Sequence, residues 1–102
     1  MTEWYTRPDP NFVIPSTDFS GVIVVTTAGT PVTGPDVSAP YGFILEGHPS
    51  NTQNVHVFSA TGAASDAFTL DALQDITLHV ANLSSLKFNS DVNGEQICWV
   101  KA

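Results

Sequence analysis

Cations are scarce in this chain: Arg7, Lys87 and Lys101 stand against ten acidic residues, for a net charge of −7. A phosphate backbone would be repelled rather than held, so no nucleic acid partner is expected. Cysteine is scarcer still. Cys98 is alone, so no internal bridge can staple so small a domain, and core packing or assembly has to do it. The first residues, Met1-Thr2-Glu3-Trp4-Tyr5-Thr6-Arg7-Pro8, lack a basic start followed by an apolar run. No stretch reaches the roughly 20 apolar residues of a membrane span. The expectation is a soluble protein made in a cytoplasm, with no membrane partner. Nothing repeats at a period of roughly 20 to 50 residues, which excludes a solenoid.

Residue patterns that carry chemistry are also missing. His48, His56 and His79 are the candidates for metal or acid–base work, yet no H-x-x-x-H or C-x-x-C spacing exists. Read within strands, His56 lies opposite in direction to Val55 and Val57, and His79 to Leu78 and Val80, as surface or interface histidines would. Asp91-Val92-Asn93-Gly94-Glu95 has the alternating oxygens that begin a calcium loop, but the rest of that loop is absent. Cys98 sits mid-strand beside Trp99, where a thiol is ordinarily a small hydrophobe and not an activated thiolate. No serine lies in G-x-S-x-G, and Gly29, Gly34, Gly42 and Gly47 do not make a phosphate-cradling loop. No catalytic residue, cofactor or metal ligand is assigned, and the chain is not expected to be an enzyme.

What is present is period-two patterning. Seven glycines, seven prolines and abundant Ser and Thr suit short strands joined by tight turns and do not suit a helical bundle. The last third alternates most clearly: Ile76-Thr77-Leu78-His79-Val80, Leu86-Lys87-Phe88-Asn89, and Gln96-Ile97-Cys98-Trp99-Val100-Lys101. Asn93-Gly94 falls between the last two and predicts an antiparallel hairpin with a type I′ turn. Upstream, Val22-Ile23-Val24-Val25-Thr26-Thr27 is continuously apolar and suits a strand buried on both faces. Gly42–Gly47 and Asn54–Ser59 read as a second pair of strands, Ala60–Ser65 as a flexible loop, and Ala67–Leu70 as a short strand. Six or seven strands in about 80 residues have the spacing of an antiparallel, all-β two-sheet sandwich of jelly-roll type, with a closed barrel as the alternative. Its inner faces would take Ile76, Leu78, Val80, Leu86, Phe88 and alternate residues of the last strand. That strand is apolar on both parities, so one of its faces should meet something other than water.

Residues 1–20 differ from the sandwich domain, residues 21–102. Pro8, Pro10 and Pro15 break any helix, and Trp4, Tyr5, Phe12, Val13, Ile14 and Phe19 are scattered among polar residues. This reads as an extended arm with a reach of about 60 Å at 3.3 Å per residue. It either folds over an open edge of its own sandwich or docks on a neighbouring chain. Trp4, Tyr5, Phe12 and Ile14 are its candidate partner contacts. His56 and Phe58, sharing one strand face, are the candidates on the sandwich. Trp99 or Tyr41 could instead stack on sugars, although burial is the commoner fate of a Trp.

Several segments in order carry a resemblance: Thr27-Ala28-Gly29-Thr30-Pro31-Val32, Gly42-Phe43-Ile44-Leu45, Asn54-Val55-His56-Val57, Ile76-Thr77-Leu78-His79-Val80-Ala81-Asn82-Leu83, and Asn93-Gly94-Glu95-Gln96-Ile97-Cys98-Trp99. Over residues 22–101 the chain resembles small structural proteins of tailed bacteriophage virions, of the head decoration or cement type. Leu73-Gln74-Asp75 stands where that pattern has a Gly-Glu pair. The resemblance implies a virion structural protein on the capsid exterior that binds the major capsid protein and stabilises the shell. It also implies a homo-oligomer, a trimer or dimer. A carbohydrate-binding β-sandwich module and a tail or neck component are the alternatives.

Overall fold

The computed structural model describes residues 19–102, so the Trp4, Tyr5, Phe12 and Ile14 contacts of the arm lie outside the described residues. Eight strands follow one another: β1 (Ser20–Val25), β2 (Val32–Thr33), β3 (Phe43–Gly47), β4 (Val55–Ser59), β5 (Phe68–Leu70), β6 (Asp75–Leu78), β7 (Leu86–Ser90) and β8 (Glu95–Lys101). Sheet one has the order β1-β8-β3-β6 and sheet two the order β2-β7-β4-β5. All pairings are antiparallel, and β1 meets β8, β2 meets β7, β3 meets β6 and β4 meets β5. A two-stranded ribbon with β4 and β5 at its tip has thus been rolled on itself, which is the eight-stranded jelly roll.

The inner faces are built by alternation. Phe43, Leu45, Val55, Val57, Phe88 and Ile97 are fully buried, with Ile23, Val25, Leu70, Leu83, Leu86 and Trp99 closing around them. Ile76, Leu78 and Val80, all expected inside, pack against this core but stay half-buried, because β6 ends its sheet. On β8 the inner set is Ile97 and Trp99, leaving Cys98 and Val100 half-buried on the outside. Trp99 meets Phe43 edge to face at 5.8 Å and 79°. Its indole also crosses β1 at Gly21, where a Cβ would come within 2.9 Å of the ring, so only glycine leaves room.

Four expectations from the sequence are corrected. β3 and β4 do not pair with each other, since each belongs to a different sheet. Asn93-Gly94 does not close a hairpin. β7 and β8 lie in different sheets, and the turn carries the chain across the sandwich. Gly94 has a φ of 86°, but Asn93 is not in the positive-φ region that a type I′ turn demands at both centres. Instead the Asn93 Oδ1 accepts from the Ala28 N–H at 2.7 Å and the Gly94 N–H donates to the Val25 carbonyl at 2.8 Å, so the turn braces the end of β1. The apolar run at Val22–Thr27 is not buried on both faces, because a two-sheet sandwich buries only one face of each sheet and leaves Val22 50% and Val24 46% exposed on the other. Finally, the strands number eight, since Val32–Thr33 adds a two-residue strand inside the Pro-rich loop. In the Ala60–Ser65 segment, a 3-10 turn at Ala64–Asp66 packs against β4.

Candidate functional site

The outer face of sheet two collects the polar groups. Across β5, β4 and β7 the ladder places Thr69, His56 and Asn89 side by side. The His56 Nδ1 lies 3.3 Å from the Thr69 Oγ1 and its Nε2 lies 3.3 Å from the Asp91 Oδ1. Hydroxyl, imidazole and carboxylate stand in the order of a nucleophilic triad, but both links are long, at 3.3 Å. The two contacts orient the imidazole on the outer face of the sheet. Phe58, expected to extend an exposed patch beside His56, does share that outer face with Lys87. It is only 6% exposed, so its ring is not a free contact surface.

The other chemistry-bearing residues are engaged in holding loops. His48 accepts at Nδ1 from the Ser50 backbone N–H at 3.0 Å and lies 2.8 Å from the Ser50 hydroxyl, closing the turn after β3. Glu95, 5% exposed, accepts from the Thr52 and Gln53 backbone N–H groups at 3.3 and 2.6 Å. Asn51 and Gln96 bond reciprocally at 2.8 Å. Together they tie the β3–β4 loop of one side to the start of β8. The oxygens of Asp91-Val92-Asn93-Gly94-Glu95 therefore diverge: Asp91 turns to His56, Asn93 to Ala28 and Glu95 to the β3–β4 loop. No shared centre is left for a calcium ion. Among the described residues no three His, Cys, Asp or Glu side chains converge on one point.

The outer face of sheet one is of another kind. Val22 lies opposite Cys98, Ser20 opposite Val100 and Val100 opposite Ile44, giving an apolar half-sheet around β1 and β8. Toward β6 it turns acidic at Glu46 and Asp75, which face each other across β3 and β6. Ile44, Glu46, Asp75, Cys98 and Val100 line a shallow cavity of about 240 Å³ there. Burial first and the Glu46 charge second push the Cys98 thiol above its ordinary range, so it is held protonated at neutral pH and is a poor nucleophile. The second apolar face of β8, Cys98 and Val100, was flagged in the sequence as one that should meet something other than water, whereas Val22 and Val24 beside it were read as part of a strand buried on both faces.

Phe19, Phe68 and Val92 are also exposed, and the most exposed large hydrophobic side chains are Tyr41 and Leu73. Tyr41, 73% exposed, stands at a cavity of about 280 Å³ lined also by Pro40, Gly42 and His79. Trp99, at 7% exposure, is core and cannot serve as a sugar platform. Leu73 is 63% exposed with a φ of 67°. The fold therefore defines an antiparallel jelly-roll sandwich, with its loops tied to the strand ends by side-chain hydrogen bonds. No protein-family profile, curated protein or solved structure matches the chain.

Proposed function

We propose that the chain is a bacteriophage virion structural protein of the capsid decoration or cement type, seated on the outer head surface and stabilising the shell. The observation that carries this reading is the rolled-ribbon topology, in which β1–β8, β2–β7, β3–β6 and β4–β5 pair in turn. Jelly rolls of this kind recur in viral capsid and lectin domains. A fold hosts many functions, so the surface has to argue the rest. Its net charge of −7 keeps the protein off packaged nucleic acid, while apolar contacts bind the shell. Trp4, Tyr5, Phe12 and Ile14 are the anchors to the major capsid protein, because buried aromatics dominate such interfaces. A stable contact needs about 800 Å² per partner, and repetition of homo-oligomers over a symmetric shell turns modest contacts into avidity.

Electron microscopy of intact particles tests this directly. Density for the sandwich on the outer head surface is the expected result, with occupancy lost when Trp4, Tyr5, Phe12 and Ile14 are all replaced by Ala in the full chain. Absence from the particle overturns the reading, and density at the neck or tail moves it to the tail alternative.

The exposed ring of Tyr41, beside a cavity that also presents His79, favours carbohydrate binding as a second reading. A glycan array separates the two. Binding that vanishes in Tyr41→Ala supports the sugar module, and an empty array removes it.

A further inference from the structure

Four strands end the two sheets, and three of them carry devices that keep a further strand away. β2 has only two residues and lies between Pro31 and Pro35. β5 has three and lies between Asp66 and Asp71. β6 has four, begins on exposed Asp75, and has Glu46 opposite that residue on β3. β1 has none of these. It is six residues long, and from Phe19 to Pro35 there is no ionisable side chain, nor any proline before Pro31.

Backbone parity shows what this edge offers. The Phe19 carbonyl accepts from the Lys101 N–H and the Val25 carbonyl from the Gly94 N–H, each at 2.8 Å, so odd-numbered residues turn their backbone groups toward β8. The N–H and C=O groups of Ser20, Val22 and Val24 therefore lie along the side that no strand among the described residues pairs with. The side chains of Val22 and Val24 stand on the outer face, continuous with Cys98 and Val100.

We propose that this edge pairs antiparallel with β1 of a second copy about a two-fold axis, joining the two four-stranded sheets into one continuous sheet. A two-fold axis sets even-numbered residues opposite even-numbered ones, so Val22 meets Val22 or Val24 of the other copy. Either register brings the valines of both copies together on the outer face, where aliphatic cross-strand pairs stabilise a ladder. Charge selects the same strand. Copies carrying −7 each repel over most of their surface, and β1 is a stretch where a second copy meets no like charge. The interface lies at the small end, below ~1,200 Å² in total, so the dimer forms in a concentration-dependent way. This pairing stands apart from the virion reading, because it holds or fails in purified protein.

Sedimentation of the full chain from micromolar to millimolar concentration, together with amide hydrogen exchange, tests it. The expected result is a monomer–dimer equilibrium that stops at the dimer, with protection of the Val22 and Val24 amides rising as the dimer forms. Val24→Lys, which sets like charges across the axis, abolishes the dimer while the thermal unfolding of the dilute protein is retained. Thr77→Lys, on the outer face of β6 at the other end of the sheet, leaves the dimer intact. Four results would overturn the pairing: a monomer throughout, assembly past the dimer, equal dissociation by Thr77→Lys, or amide protection that is the same at every concentration. The last would mean that residues 1–18 of the same chain cover the edge.

Discussion

The two outer faces of this sandwich share one core and yet are finished differently. On sheet two the outer face carries Thr69, His56, Asn89 and Lys87 with Phe58, which is only 6% exposed, while Phe68 at the β5 edge is 50% exposed. On sheet one, Val22 and Val24 stand about half exposed beside Cys98 and Val100, with nothing among the described residues laid over them. Both faces belong to strands of similar composition inside. The lesson is that burying the inner faces leaves the outer faces free to differ: that of sheet two is mainly polar, whereas the β1–β8 half of sheet one leaves Val22 and Val24 exposed.

The largest effect expected is in the shared core. Phe88→Ala, at a fully buried site of sheet two, costs about 3–5 kcal/mol in denaturant unfolding and lowers both sheets together. Val24→Thr in dilute protein, by contrast, stays within about 0.5 kcal/mol. A large loss at Val24 would show that the outer face of sheet one is already packed within the monomer, and the comparison would break. Next in size, Glu95→Ala leaves the Thr52 and Gln53 N–H groups unpaired behind a buried position, for a loss of about 1–3 kcal/mol in the same assay. Leu73→Gly relieves a left-handed backbone and gains up to about 1 kcal/mol. If that variant gains stability and loses binding to particles, the exposed Leu73 side chain is a contact rather than a defect.

The smallest effect sharpens the account of sheet one alone. Alkylation of Cys98 should be slow at neutral pH and rise only above the ordinary thiol range, since burial and then Glu46 disfavour the thiolate. Removing that charge in Glu46→Gln lowers the thiol's pKa, so the reaction at a given pH becomes faster. An unchanged rate would take Glu46 out of the explanation.

Much of the strand content was legible, and the reason is visible in β8. Gln96-Ile97-Cys98-Trp99-Val100 alternates, and the structure keeps the alternation, with Ile97 and Trp99 inside. Partner choice was not legible. Asn93-Gly94 is a strong local turn signal, but Asn93 spends its side chain on Ala28, 65 residues away in sequence, and the chain leaves for the other sheet. β3 and β4 failed for the same cause: adjacency in sequence favours pairing only when the chain turns within one layer, and the rolled ribbon turns between layers. At the candidate contact surface, the outward direction of His56 was legible from its alternation with Val55 and Val57, while the burial of Phe58 on the same face was not, because a two-residue repeat gives the face and not what lies over it.

Sequence alone determined the all-β class, the strand positions, the parity of most side chains and the acidic charge, because each follows from local backbone preference and the two-residue repeat of a pleated chain. The tertiary structure decided which strands became neighbours, which apolar run was left at an edge, and which polar side chains tied distant loops. Those depend on contacts between residues far apart in the chain, where the gain of burying one face against another outweighs any local signal.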